Sequence, residues 1–290
     1  MEILRTLRQG EHTLVGVLAL CFLGLAGCGA SQVAQAPSTI SPEASLPKEG
    51  IYCPDEYLKW SLRWKGLEAA TTELVTGAPG VIAGQDAIVV FSRTQSSELA
   101  SVFREVSEEM TSQVSLETGR PLSNESLAVE EGEREHVVVT FGPEQGYTSK
   151  LSGNVKQHSW TTNGKSSDFH TFFARLRMWD GSPASGVQTF VQNGRSHYEV
   201  SLVKGIAKPI STILGKVPAI AIHGQAKRLY MDGKKSTDSD VLAFTLWRSD
   251  DGRFVPLRFD VETRLGSVRG TLVDVRASDS GVCLTAPTTP

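Results

Sequence analysis

The chain lacks a charge excess of either sign: 29 lysines and arginines stand against 32 aspartates and glutamates, a net charge of −3. With no basic stripe and no acidic tail, it offers no surface for nucleic acid. The motifs of familiar catalytic sites are missing as well. There is no GxSxG elbow, no HExxH helix, no P-loop and no dinucleotide-binding GxGxxG after a strand. Cysteine is scarce, four residues in all, and no two stand at CxxC spacing, which removes the usual redox and zinc signatures. Internal repeats are absent. The apolar run from Thr13 to Ala26 is shorter than the ~20 residues that a helix needs to cross a bilayer.

What is present begins with that short run. Arg5 and Arg8 precede it, and it closes on Leu25-Ala26-Gly27-Cys28. Small residues ahead of a cysteine resemble the processing box of bacterial lipoproteins, against the bland alternative of a buried core helix. Glu2 and Glu11 depart from the usual leader composition. The expectation is a signal peptide over residues 1–27, removed to leave a lipid-bearing Cys28. Each buried acyl methylene contributes about 0.8 kcal/mol, so such a cysteine is a durable membrane anchor. Gly29 in place of Asp resembles the pattern that sorts enteric lipoproteins to the outer membrane. Residues 28–48, rich in Ala, Ser, Pro, Gln and Thr, read as a disordered tether with an rms span of about 25 Å.

With Cys21 in the leader and Cys28 lipidated, Cys53 and Cys283 remain for the folded part. A single pair in an oxidising compartment points to a disulfide, with free thiols and a catalytic cysteine as the alternatives. Closing so long a loop restricts the unfolded chain by roughly 5 kcal/mol on the entropic model.

Residues 49–284 read as one β-rich domain, with 285–290 as a disordered tail. Leu58, Trp60, Leu62 and Trp64 alternate with polar residues, the period of a half-buried strand. Leu242–Leu246, Val255–Val261 and Val268–Val273 form a predicted three-stranded meander, turning at Ser249–Gly252 and at Leu265-Gly266. Asn193-Gly194 is the expected turn of a hairpin between Val187–Val191 and Tyr198–Leu202. Ala87–Phe91, His136–Phe141 and Pro218–His223 are further strand candidates. Two stretches follow helical spacing: Leu99, Val102, Phe103, Val106 and Met110, and then Phe169, Phe172, Phe173 and Leu176. Ser167 or Asp168 could cap the second, and Pro183 stops it from continuing.

No side-chain cluster calls for a metal or a cofactor. His136, His158, His170, His197 and His223 are scattered one per element and read as surface or strand-end residues. Asp238, Asp240, Asp250 and Asp251 lack the ligand spacing of a calcium loop and read as turn formers. Lys227, Arg228, Lys234 and Lys235 flank Asp232-Gly233 as a solvated hairpin. The aromatic row Trp60, Trp64, Phe169, Phe172, Phe173, Trp179 and Trp247 has two readings: core, or the lining of an apolar groove with the 169–176 helix as its lid.

Several stretches resemble an exported family, domain of unknown function 3108, from about Cys53 to Val275. Tyr57-Leu58-Lys59-Trp60-Ser61-Leu62-Arg63-Trp64-Lys65-Gly66 is similar to the family's first strand, although Ala69-Ala70 stands where a Gly is common. Phe169–Arg177 resembles its segment ending in Leu-Arg. Leu246-Trp247-Arg248-Ser249-Asp250-Asp251-Gly252-Arg253-Phe254-Val255-Pro256-Leu257 resembles its hairpin, and Gly266 the glycine that follows the return strand. The resemblance implies an all-β envelope protein on a strongly curved antiparallel sheet, an open barrel or half-barrel with one or two short helices. It carries no catalytic residue over. The resulting expectation is a non-catalytic outer-membrane lipoprotein, facing the periplasm, that binds a lipid or other apolar ligand at Trp60, Trp64, Phe172, Phe173 and Trp247. An assembly factor acting through an envelope-protein partner is one alternative, and a hydrolase with an unrecognised site is another.

Overall fold

The computed structural model describes residues 46–47, 50–102, 105–130, 132–142, 145–150, 156–161, 166–193, 196–229, 241–263, 266–277 and 283–285. The leader, Cys28, most of the tether, residues 286–290 and the Asp232-Gly233 turn lie outside the described residues, while Thr285, expected in the tail, pairs with Ile51 in a short strand. No helix among the described residues is long and apolar enough to cross a membrane.

The first half of the chain supplies β1 (Ile51–Tyr52), β2 (Tyr57–Trp64), β3 (Leu67–Thr76), β4 (Gly80–Ile82), β5 (Gln85–Ser96) and the single-turn α1 (Glu98–Ser101). It continues with β6 (Val106–Ser115), β7 (Pro121–Glu130), β8 (Glu133–Phe141), β9 (Gln145–Lys150) and β10 (Lys156–Thr161). Then come β11 (Ser166–Asp168), α2 (Phe169–Met178), β12 (Val187–Asn193), β13 (Ser196–Thr212) and β14 (Gly215–Leu229). The chain closes with β15 (Val241–Ser249), β16 (Pro256–Thr263), β17 (Gly266–Arg276) and β18 (Leu284–Thr285).

One sheet runs β10-β9-β8-β7-β6-β5-β3-β2-β17-β16-β15-β14-β13-β12-β11, with β4 added on β5. Every neighbouring pair is antiparallel except β11 with β12. The hydrogen-bonded path does not close. Its β10 end nevertheless curls round to the far arc, where the Trp160 ring lies 5.1 Å from the His197 ring on β13. The expected all-β, strongly curved architecture with two helices is therefore present.

Curvature comes from bulges and from glycines. The register slips at Leu62/Arg63, Gln113/Val114, Lys204/Ala207, Trp247/Arg248 and Leu272/Asp274, and each bulge adds local twist. Gly224 and Gly270 sit where a Cβ would fall 2.1 Å from the Phe244 and Phe259 rings, so the sheet folds those rings onto bare backbone.

The strand alternation read at Leu58, Trp60 and Leu62 holds, and all three are buried. The meander is β15–β16–β17. The helix expected over 99–110 does not form. Only Glu98–Ser101 is helical, and Val106 and Met110 lie on β6 between β5 and β7. A spacing of four satisfies both periods. The alternating burial of Val106, Glu108, Met110, Ser112 and Val114 shows that the two-residue period wins. Leu99 and Val102 are exposed, and Phe103 lies outside the described residues. The 187–202 hairpin forms, but Asn193 pairs with Ser196. Its connection is therefore residues 194–195, one place beyond the expected Asn193-Gly194.

The Cys53 and Cys283 sulfurs are 2.00 Å apart. They join the flanks of β1 and β18, which form their own two-stranded sheet.

Candidate functional site beneath helix α2

α2 starts where its sequence says it should. The Asp168 carboxylate accepts from the Thr171 backbone N–H at 2.8 Å, and the Asp168 N–H donates to the Thr171 hydroxyl at 3.0 Å, a reciprocal capping box. Phe169, Phe172, Phe173 and Leu176 then fall on one face, turned into the bowl of the sheet. Strong anchors hold the helix there. Arg177 forms a buried two-pronged pair with Glu56 at 2.7 and 2.9 Å and donates to the Phe254 carbonyl. Arg175 donates to the Leu46 and Pro47 carbonyls and to Ser167 Oγ. Leu46, near the end of the stretch read as tether, is buried with the core.

Between α2 and the sheet lies a cavity of about 90 Å³. Its wall is Trp60 from β2, Leu74 from β3, Val191 from β12, Val200 from β13, Ala226 from β14, Phe244 and Leu246 from β15, and Phe259 and Val261 from β16. Trp60 meets Phe173 edge-on at 6.1 Å and Phe259 at 6.2 Å. The Trp60 indole N–H donates to the Pro256 carbonyl, which leaves only its apolar faces toward the space. Thr72, Ser92, Asn193 and Tyr198 complete the lining through their apolar atoms.

Of the five groove candidates, Trp60, Phe172 and Phe173 line the cavity; Trp64 and Trp247 do not. Trp247 is one residue out of phase with Phe244 and Leu246. It faces the other side of the sheet, beneath the Lys208 ammonium at 4.2 Å. Trp64 lies at the end of β2, beyond the slip at Leu62/Arg63, half-buried against the outer part of the core with Lys65 over its ring. Trp179 is buried outside the cavity, its carbonyl accepting from Arg248.

One histidine does not match the surface reading. His170 is 2% exposed, with Nε2 at 2.8 Å from Ser92 Oγ and Nδ1 at 2.6 Å from Ser112 Oγ. Asn124 donates to Ser112 and lies 3.5 Å from Asp168. Burial pushes His170 down to about 4, with the Asp168 charge opposing, so the ring is neutral near pH 7. Nearby on β5 and β3, the Thr94 and Thr72 hydroxyls share a bond of 2.6 Å. Glu108, opposite Thr94 on β6, is buried with Oε1 unbonded, and desolvation raises its pKa well above the carboxylate range. These contacts lie up to 78 residues apart in the chain, and no spacing rule could have found them. Asp251 accepts from Ser249 Oγ and from Arg253, the chemistry of a turn.

A family model described as protein of unknown function DUF3108 matches residues 59–273. None of the curated proteins matches the sequence. Among solved structures, a β-barrel-like protein of domain of unknown function DUF1849 from Brucella abortus superposes with a TM-score of 0.53. It is 11% identical, over 79% of this chain and 99% of that one, and the two share a fold. A candidate exported protein with a YmcC-like fold from Bacteroides fragilis gives 0.35 at 7% identity, over 78% of this chain and 99% of that one. A candidate lipoprotein from Parabacteroides distasonis gives 0.33 at 7% identity, with the same coverage.

Proposed function

The chain belongs to the DUF3108 family, and from that premise we propose a non-catalytic binding domain that holds an apolar chain in the cavity beneath α2. We place it on the periplasmic face of a bacterial outer membrane, tethered through a lipid on Cys28. The leader, the Cys28 context and Gly29 support the placement. One observation carries the binding role: an aromatic-walled space roofed by a helix that is pinned at both ends. Size limits the occupant. An engineered protein cavity of about 150 Å³ takes a benzene ring, so about 90 Å³ admits the end of one acyl chain. Anything wider requires α2 to shift.

The test is native mass spectrometry with lipid extraction on the purified chain and on Ala226→Leu, which fills the cavity from its wall. The expected result is an apolar ligand on the wild type, lost in the variant at unchanged thermal stability. An empty wild-type protein that takes up no added fatty acid overturns the reading.

The Ser92–His170 contact favours a second reading, an ester hydrolase. It ranks lower because Nδ1 meets the Ser112 hydroxyl in place of a carboxylate, and Asp168 is committed to the cap. A ring held near 4 by burial is also a weak base. Covalent labelling of Ser92 by a fluorophosphonate, abolished in His170→Gln, would reverse the ranking.

A further inference from the structure

β13 and β14 outrun their neighbours. β12 stops pairing with β13 at Leu202, and β15 reaches along β14 no further than Ala219. Residues 209–218 therefore form a two-stranded ribbon, turning at Ile213-Leu214, with no further strand beside it among the described residues. Its two faces differ. Ile210 and Val217 pair with one another and are buried, and on the same face Lys208 lies over the Trp247 ring. On the other face Ala207, Pro209, Ser211, Lys216 and Pro218 are exposed. Ile206 in the bulge is 71% exposed and Ile213 at the turn 63%.

Between Glu199 and Asp232 the chain has no acidic residue, so Lys204, Lys208 and Lys216 give the ribbon positive charge alone. Lys204 donates to the Asp180 carbonyl and Lys208 covers Trp247, and both keep their charge. Asp180 and Asp250 stand at its root. The Pro218 carbonyl turns outward to accept from the Asp250 N–H. The Pro209–Pro218 pair therefore points its N–H positions away from the ribbon, where proline has no donor. An added strand finds no partner at either place, which leaves side-chain contact as the way this ribbon binds.

The tether starts from the same end of the sheet. Arg177 joins α2 to Glu56, just ahead of β2, and to Phe254 in the β15–β16 turn, while its neighbour Arg175 holds the Leu46 and Pro47 carbonyls. In the antiparallel order the β13–β14 turn shares that end with the β15–β16 turn. The 18 residues from Cys28 to Ser45 have an rms span of roughly 20–25 Å, which keeps this end close to the anchoring bilayer.

We propose that the open face of the ribbon, led by Ile213 and Lys216, rests on a phospholipid surface with anionic head groups and sets how the tethered domain sits on its membrane. This depends on Cys28 carrying the lipid. Exposed isoleucine side chains enter the interfacial layer, and the lysine ammonium reaches the phosphates.

The experiment reconstitutes the lipid-bearing protein in phosphatidylcholine vesicles, with and without phosphatidylglycerol. An environment-sensitive fluorophore is attached at Ile213→Cys or at Val102→Cys, an exposed apolar site at the opposite end of the sheet. Flotation reports the anchor, and quenching by doxyl-labelled lipid reports contact. The label at 213 is quenched on phosphatidylglycerol vesicles and the label at 102 is not. Lys216→Gln shifts that contact about fivefold toward water, the worth of one lysine at an anionic surface. Equal quenching at both positions, or at neither, overturns the ribbon contact and leaves the anchor standing. Equal quenching at 213 on both vesicle types overturns the anionic requirement. A chain that does not float overturns the anchor and this contact with it. A label at 213 that is shielded in native envelope membranes but not in lipid vesicles assigns the ribbon to a protein partner instead.

Discussion

The two arcs of the sheet meet α2 in opposite ways. The arc from β12 through β17 to β2 presents Val200, Leu246, Phe259, Val261 and Trp60 to the interior, and the helix lays phenylalanines on it. The arc of β5, β6 and β7 presents Ser92, Ser112, Asn124 and Glu108, and there the helix answers with His170 and Asp168. Apolar contact has no direction and tolerates sliding. Hydrogen bonds in a dry interior have fixed partners, and losing one leaves another group stranded. The apolar arc can therefore yield to a ligand, while the polar arc fixes where the lid sits.

Breaking an anchor should have the largest effect. Glu56→Ala strands the buried Arg177 guanidinium, and denaturant unfolding should show a loss of about 3–5 kcal/mol. A loss under 1 kcal/mol would mean that the helix rests on its phenylalanines alone. The next effect is pH-dependent. His170 is held near 4 in the fold against an ordinary value of 6.5. Between those values the unfolded chain takes up a proton that the folded ring refuses. Stability from this group is complete above 6.5, falls as the pH drops, and levels off below about 4, a change on the order of 3 kcal/mol. His197 is also lowered to about 4 and acts in the same direction. Glu108, with its pKa raised, acts in the opposite one, destabilising as pH climbs above its ordinary 4.5. The difference between wild type and His170→Gln isolates the His170 share. Parallel curves for the two proteins would show that the imidazole is not sealed as its burial implies.

The apolar arc was readable in advance and the polar arc was not. Alternation names one face of a strand, so Leu58, Trp60 and Leu62 and the β15–β17 meander follow from a period of two. The capping residue and the phenylalanine spacing likewise announce α2. Trp247 misled because an aromatic row carries no phase: Leu246 and Trp247 are adjacent, so only one faces the cavity. Val106 and Met110 misled because a spacing of four serves helix and strand alike. Ser92, Ser112, Asn124 and His170 come from three strands and a helix, and a serine bound for the interior is written like any other. The pattern puts Tyr198 on a strand, but its place in the cavity lining belongs to tertiary structure alone.

The smallest expected effects separate the arcs most cleanly. On the apolar arc, Leu246→Met keeps volume and should cost under about 1.5 kcal/mol. At the edge of the polar arc, where β3 pairs with β5, Thr72→Val also keeps shape, yet it strands the buried Thr94 hydroxyl, whose bond to Thr72 is 2.6 Å. That single change should cost about 1–3 kcal/mol, the penalty of an unsatisfied buried group. Replacing both threonines removes donor and acceptor together, so Thr72→Val with Thr94→Val should be nearly neutral and more stable than either single variant. A double-mutant cycle by denaturant unfolding measures this directly. Strictly additive losses would mean that water already serves both hydroxyls, and the polar arc would then be as forgiving as the apolar one.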